Sequence, residues 1–176
     1  MASAWRSCIA AMMFAVAVNA AVAPAACADA LGRATAAYDH GDYVRAARDL
    51  SLLAEQGNPR AQGLLGFMYE HGFGVPQAYD AAADLYARGA AQGNPFAQAM
   101  LGLMYDKGHG VSRDVILAYK WLDLAAAHTR GRERDAYARF RNAVASKMSP
   151  DEIALGQRLA LNWAPGGLVD PVRTMR

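Results

Sequence analysis

An internal repeat of 36 residues constrains the fold of this chain more than any other feature of its sequence. Residues 57–92 align with residues 93–128, and 15 of the 36 positions are identical. Twelve of the identities lie in the first 19 positions, where GNPRAQGLLGFMYEHGFGV aligns with GNPFAQAMLGLMYDKGHGV. A period of this length is typical of arrays in which each supersecondary unit stacks on the next.

The first half of each repeat has the pattern of an amphipathic helix. Asn58 and Asn94 suit the N-cap, and the proline that follows each suits the first helical position, where no amide hydrogen is needed. Apolar residues then recur at i, i+4, i+7 and i+8, which predicts one buried face. These residues are Ala61, Leu65, Met68 and Tyr69, repeated as Ala97, Leu101, Met104 and Tyr105.

Glycines mark the middle and the end of this helix. Gly66 and Gly102 fall inside it, where glycine costs about 1 kcal/mol relative to alanine, so we expect a second helix to approach closely there. Gly72 and Gly108 are expected to end the helix in a left-handed conformation. A second helix follows, with Asp114 as N-cap in one repeat and a packing stripe of Ala118, Trp121, Leu122, Ala125 and Ala126.

The repeated pattern resembles the Sel1-like repeat, a relative of the tetratricopeptide repeat. It reads Ala-x-x-x-Leu-Gly-x-x-Tyr-x-x-Gly-x-Gly-Val, then Asp and a second apolar stripe; it is clear over 57–128 and weak over 29–56. The sequence departs from the pattern at Ala78, where Asp is usual, at Gly89, where Ala is usual, and at Asp49, an apolar position. The resemblance implies an all-α fold, a short right-handed α-solenoid of antiparallel helix pairs with C-terminal capping helices.

The predicted domain organisation begins with a cleavable signal peptide over residues 1–28. An apolar run from Cys8 to Val18 follows the basic Arg6, and Ala26 and Ala28 fit cleavage before Asp29. This run is shorter than the roughly 20 residues that cross a bilayer, so we expect a periplasmic or secreted protein. An alternative is a lipoprotein anchored at Cys27.

The repeat domain is predicted over 29–164, with units at 29–56, 57–92 and 93–128 and a cap at 129–164. The cap is expected to contain one helix over 131–146, with Tyr137, Phe140 and Val144 on its apolar stripe, and a last helix that begins after Ser149. Residues 165–176 are expected to form a flexible tail.

Few residues of the mature sequence could support catalysis or bind a cofactor. His40, His71, His109 and His128 are scattered, and no serine lies in a G-x-S-x-G turn. The sequence therefore predicts no enzyme, no metal site and no cofactor. The formal net charge is +2, and acidic residues interrupt the basic segment between Arg130 and Arg141, so nucleic acid is not an expected partner.

The resemblance implies a protein or peptide partner held on the concave face, which the first helices line. Candidate binding positions are those on the first helices outside the repeated stripe: Arg60, Phe67, His71, Phe96, Leu103 and Lys107. Two alternatives stay open. One is a protein that binds or hydrolyses cell-wall or β-lactam compounds, which a resemblance to some cysteine-rich Sel1-like proteins implies, although residues 29–176 contain no cysteine. The other is a structural protein that self-associates.

Overall fold

The computed structural model describes residues 29–166, and these form eight α-helices and no strand. The predicted signal peptide and residues 167–176 lie outside the described part. Helix α1 spans 29–39. The others are α2 (Tyr43–Glu55), α3 (Pro59–His71), α4 (Tyr79–Ala91), α5 (Pro95–Lys107), α6 (Val115–Ala127), α7 (Gly131–Ala145) and α8 (Pro150–Leu161). The prediction of an all-α repeat solenoid is confirmed.

The predicted helix ends have the expected capping geometry. The Asn58 side chain accepts hydrogen bonds from the backbone N–H groups of Arg60 and Ala61, and Asn94 accepts one from Ala97. Gly72 and Gly108 end α3 and α5 with φ of 73° and 75°. Because φ above zero is costly for a residue with a Cβ atom, glycine is favoured at these positions.

The helices pair within each repeat, α3 with α4 and α5 with α6. A Cβ atom on Gly66 would lie 2.9 Å from the ring of Tyr86, and one on Gly102 would lie 2.8 Å from Cγ of Leu122. The close approach expected at both glycines is therefore present. Buried apolar residues from every unit fill the space between the pairs.

Two buried glutamines join successive units by hydrogen bonds. Gln62 donates from Nε2 to the backbone carbonyl of Ala54 at 3.1 Å, and its Oε1 accepts from Gln92 at 2.8 Å. One repeat later, Gln98 donates to the carbonyl of Ala90 at 3.3 Å. Each glutamine thus adds a hydrogen bond to a carbonyl at the end of the preceding second helix, which also accepts from a backbone amide of the turn that follows.

The loop after each first helix rests on the preceding unit. A Cβ atom on Gly74 would lie 2.3 Å from the carbonyl carbon of Tyr43, and one on Gly110 would lie 2.2 Å from the carbonyl oxygen of Tyr79. Both glycines also have positive φ, 69° and 65°. The second glycine of each Gly-x-Gly is therefore needed for a contact between units as well as for the turn.

Helix α7 buries a different stripe from the predicted one. Tyr137 and Val144 are buried, but Phe140 is exposed. Between the two buried residues lies Arg141, which is half-buried and pairs with Asp123 of α6 at 2.7 Å. The i, i+4, i+7 positions therefore face α6, and Phe140 lies outside this stripe.

Helix α8 packs along α6. Gly156 lies against Tyr119 and the carbonyl of Ile116, and Trp163 lies near the rings of Trp121 and His128, so the two helices run in the same direction. The Gly166 amide then donates to the carbonyl of Ala91 at 3.0 Å. The first residues of the predicted tail thus contact the turn between α4 and α5.

Candidate peptide-binding surface

Aromatic rings from three successive first helices meet on one side of the array. Phe67 of α3 lies at the centre, with ring centroids 6.5 Å from Tyr38 of α1 and 6.2 Å from Phe96 of α5. His71 is closer still, 4.1 Å from Phe67. We call this set the aromatic cluster; its members are Tyr38, Tyr43, Phe67, His71, Phe73 and Phe96.

The glycine loop places one of these rings. Phe73 lies between Gly72 and Gly74, and it stacks on Tyr43 with centroids 5.0 Å apart and an interplanar angle of 18°. It also approaches Phe67 at 6.0 Å and His71 at 5.6 Å. Pairs at these separations gain about 0.5–1.5 kcal/mol beyond the area they bury. The rings therefore order the loop against α2 and α3.

The cluster is packed on one side and open on the other. Its phenylalanine and tyrosine rings are all half-buried, and His71 is exposed. The His71 ring donates from Nδ1 to the carbonyl of Phe67 at 3.0 Å. Burial raises the pKa of the Tyr38 hydroxyl, with smaller contributions from Tyr43 and Asp39. The surface thus combines apolar ring faces with a few polar edges.

The structure groups some of the predicted binding residues and separates others. Phe67, His71 and Phe96 lie together in the aromatic cluster. Leu103, which occupies the position of Phe67 in the next repeat, is half-buried and packs against the core cluster that contains Tyr137 and Val144. Leu103 therefore contributes to the core rather than to the aromatic cluster. Arg60 and Lys107 are exposed, near opposite ends of α3 and α5.

Three cluster members were not predicted from the sequence. Tyr38 and Tyr43 belong to the weakly repeated first unit, and Phe73 lies in a loop, so a search along the first helices passed over all three. A usable signal was present: Phe73 follows the C-terminal glycine of α3, where an apolar residue commonly packs back on its own helix.

The described residues contain no group of three or more His, Cys, Asp or Glu side chains that could hold a metal ion.

The Tyr86 hydroxyl donates to the Glu70 carboxylate at 2.8 Å, and burial, followed by the charge of Glu70, raises the pKa of Tyr86. This pair joins α3 to α4 next to Gly66. No helix within residues 29–166 is long and apolar enough to cross a membrane.

The stacked helix pairs and the partly exposed aromatic cluster are those of a helical-repeat protein. Comparison with protein families identifies the type of repeat: residues 59–94 and 95–129 each match the Sel1 repeat. The chain therefore carries two Sel1 repeats, and its fold is that of the Sel1-repeat proteins. Such repeats commonly mediate contacts between proteins.

Two bacterial structures are similar in fold. One is a protective antigen of uropathogenic Escherichia coli strains, with a TM-score of 0.72 and 24% identity over 78% of this chain. The other is a Sel1 repeat protein of Oxalobacter formigenes, with a TM-score of 0.59 and 28% identity over 75% of this chain. The chain spans 29% of the first protein and 55% of the second. No curated protein matches the sequence.

Proposed function

We propose that this protein is an exported, non-catalytic interaction module that binds a segment of another protein through its aromatic cluster. The observation that carries the proposal is the ring contact between Phe67 and its neighbours on α1 and α5. Three successive first helices thereby contribute to one surface. Half-buried aromatic rings bind apolar side chains well because they offer large area and few rotatable bonds.

The polar groups around the cluster set limits on the partner. Arg60 at the start of α3 and Lys107 at the end of α5 are exposed, so a segment that combines apolar and acidic side chains would fit. The apolar run and the A-x-A pattern in residues 1–28 support export, with the partner then in the periplasm or outside the cell.

The test uses substitutions that the chain itself carries one repeat later. Replacing Phe67 with Leu and His71 with Lys gives α3 the residues that α5 has at Leu103 and Lys107. Because α5 is helical with leucine and lysine at these positions, we expect F67L/H71K to fold. The wild type and the variant are each immobilised, and proteins captured from the envelope and secreted fractions are compared by quantitative mass spectrometry.

We expect at least one partner to be retained by the wild type and depleted at least about tenfold by F67L/H71K. The matched control is Phe140→Leu, which removes an exposed phenylalanine from α7 and should leave capture unchanged. Equal capture by the wild type and F67L/H71K would show that the aromatic cluster is not the binding surface. Equal loss in the Phe140→Leu control would show that the effect is not specific to it.

A further inference from the structure

The surface that carries the aromatic cluster continues onto α7, where its side chains change from apolar to basic. Helices α3, α5 and α7 begin at Pro59, Pro95 and Gly131, 36 residues apart, so their positions correspond one to one. We define the inner face as the second, sixth, ninth and thirteenth residues of each helix. These are Arg60, Leu64, Phe67 and His71 in α3, Phe96, Met100, Leu103 and Lys107 in α5, and Arg132, Ala136, Arg139 and Ala143 in α7.

The inner face of α7 is turned to the same side as those of α3 and α5. Leu65, Leu101 and Tyr137 hold the same place in the three helices, and all three are buried. Helix α7 packs against α6 as α5 packs against α4, and it also contacts α5. The inner-face residues lie on the side of each helix away from the buried residue, and none of them is buried. The three helices therefore contribute to one surface.

The inner face contains basic residues and no acidic residue. Its charged members are Arg60, Lys107, Arg132 and Arg139, and all four are exposed. Within residues 29–166, neither Arg132 nor Arg139 is in an ion pair. Arg141, which is on the buried side of α7, is by contrast paired with α6. The two arginines of the inner face are therefore open to an anionic group from another molecule.

The acidic residue nearest to these two arginines is Asp135, three residues after Arg132 and four before Arg139. Its equivalent in α3 is Gly63, where a Cβ atom would lie 3.2 Å from Cδ1 of Phe96. This side of a first helix thus faces the first helix that follows. Asp135 therefore lies at the edge of the inner face, and it offsets one of the two arginine charges.

The other carboxylates of these helices lie away from the inner face. Burial, and then the charge of Glu133, raises the pKa of Tyr137, so Glu133 is on the buried side of α7. Glu70 accepts a hydrogen bond from α4. Asp106 is paired with Lys147. None of these three carboxylates therefore belongs to the surface that the inner face presents.

Counted with its acidic neighbours, the surface keeps a positive charge. Asp135 lies at its α7 end, and Asp39 follows Tyr38 at its α1 end. Four basic and two acidic residues leave a net charge of +2. The large apolar side chains lie between the two ends, on α3 and α5. The surface therefore has an apolar part on α3 and α5 and a basic part on α7.

We infer that the protein segment bound by the aromatic cluster is acidic at one end, with apolar side chains on Phe67 and Phe96 and carboxylates on Arg132 and Arg139. This inference rests on the proposed function and names the chemistry of the partner. An arginine can bind a carboxylate through two parallel N–H···O contacts. Packed helices lie about 8–10 Å apart, so α3 and α7 are separated by about 16–20 Å. An extended segment spans this distance in about five or six residues.

The experiment selects peptides without assuming the sequence of the partner. The probe is a phage-displayed library of random peptides of about twelve residues, which span about 40 Å when extended. The library is selected on immobilised protein expressed from the complete sequence. The test variant is R132E/R139E. The matched control, R134E/R158E, makes the same change in net charge at two exposed arginines outside the inner face, and circular dichroism establishes that all variants keep the helix content of the wild type.

We expect the wild type to select peptides with apolar residues and, about five or six positions away, Asp or Glu. This enrichment over the unselected library should be at least about threefold, as one exposed ion pair provides. R132E/R139E should select Lys or Arg at the same distance, because reversed charges on the protein favour reversed charges on the peptide. R134E/R158E should select the same peptides as the wild type.

Two results would overturn the inference alone. One is a wild-type selection without acidic enrichment, and the other is the same charge preference in the wild type and R132E/R139E. In either case an apolar preference that F67L/H71K loses would still support the proposed function. If the wild type enriches no peptide over F67L/H71K, both the proposed function and the inference are wrong.

Discussion

Gln98 Oε1 accepts a hydrogen bond from Nδ1 of His128 at 3.1 Å, and the same side chain donates to the carbonyl of Ala90. His128 therefore carries its proton on Nδ1 in this contact. One repeat earlier, Gln92 takes the place of His128 and makes the equivalent bond to Gln62. In both repeats, the glutamine at this position therefore links its own unit to the end of the second helix of the preceding unit.

Replacing Gln98 with Leu should lower the free energy of unfolding by about 1–3 kcal/mol, because the buried Gln98 side chain makes one hydrogen bond to the Ala90 carbonyl and one to the His128 ring, and both would be lost. Urea denaturation followed by circular dichroism measures the change. Gln56→Leu, at an exposed position at the end of α2, should change stability by less than about 0.5 kcal/mol. A neutral Gln98→Leu would mean that the inter-unit hydrogen bonds contribute nothing to stability.

Ala78 is the position where an added cap should stabilise the protein. Asp114 caps α6 by accepting from the backbone N–H groups of Ile116 and Leu117, whereas Ala78 offers no side-chain cap to α4. The backbone angles are nearly the same, φ and ψ of −151° and 101° at Ala78 against −148° and 107° at Asp114. We therefore expect Ala78→Asp to raise the free energy of unfolding by about 1 kcal/mol.

The reciprocal change, Asp114→Ala, should lower the free energy of unfolding by about the same amount. Thermal denaturation of both variants beside the wild type checks the pair. If Ala78→Asp destabilises the protein while Asp114→Ala behaves as expected, the loop before α4 does not tolerate a carboxylate.

Replacing a helical glycine with alanine should change the free energy of unfolding in opposite directions at Gly102 and Gly32. A Cβ atom on Gly102 would lie 2.8 Å from Leu122 and 3.0 Å from the carbonyl oxygen of Ala118. The backbone oxygen cannot move without shifting α6, so Gly102→Ala should cost about 1–3 kcal/mol. Gly32 in α1 has no atom within 4 Å of the added Cβ, so Gly32→Ala should stabilise by up to about 1 kcal/mol.

Urea denaturation of both glycine variants measures these changes. A stable Gly102→Ala would show that α5 and α6 can separate without penalty, contrary to the close packing described above.

The stabilisation that the Ser149–Glu152 capping box gives to α8 should depend on pH. Accepting hydrogen bonds from the Ser149 backbone and hydroxyl lowers the pKa of Glu152 below its usual 4.5. Because the pKa is lower in the folded state, the stabilisation is present above pH 4.5 and is lost as the pH falls through the folded-state pKa. Glu152→Gln should therefore lower the melting temperature at neutral pH, and the difference from wild type should shrink at about pH 3.

The control for this prediction is Glu55→Gln at the end of α2, where no such cap is present. A Glu152→Gln difference that stays constant with pH would show that the charge of Glu152 does not contribute.

The sequence was sufficient to predict the parts of the fold that repeat. Asn58, Gly66 and Gly72 each recur 36 residues later, and a local cause such as a cap or a close approach explains each of them. The position of α8 was not predictable in this way. Its packing on α6 depends on long-range contacts of Gly156 and Trp163, which no local pattern encodes.

The candidate site was predictable only in part, for a related reason. Phe67 and Leu103 occupy equivalent positions, and both were predicted from the sequence as candidates for binding. Their surroundings differ because Leu103 packs against the core cluster that contains Tyr137 and Val144, whereas Phe67 faces the rings of Tyr38 and Phe73. Residues that share a place in the repeat can thus have different neighbours at the end of an array.

The contacts of Gly74 with Tyr43 and of Gly110 with Tyr79 are the same from one junction to the next. The second helices α2 and α4 therefore each present the same backbone contact to the loop of the unit that follows. A gene that duplicated or lost 36 codons between two such junctions would encode a chain in which each remaining loop still fits the second helix that precedes it. The number of units can thus change in evolution by whole repeats, while the backbone contact at each junction is kept.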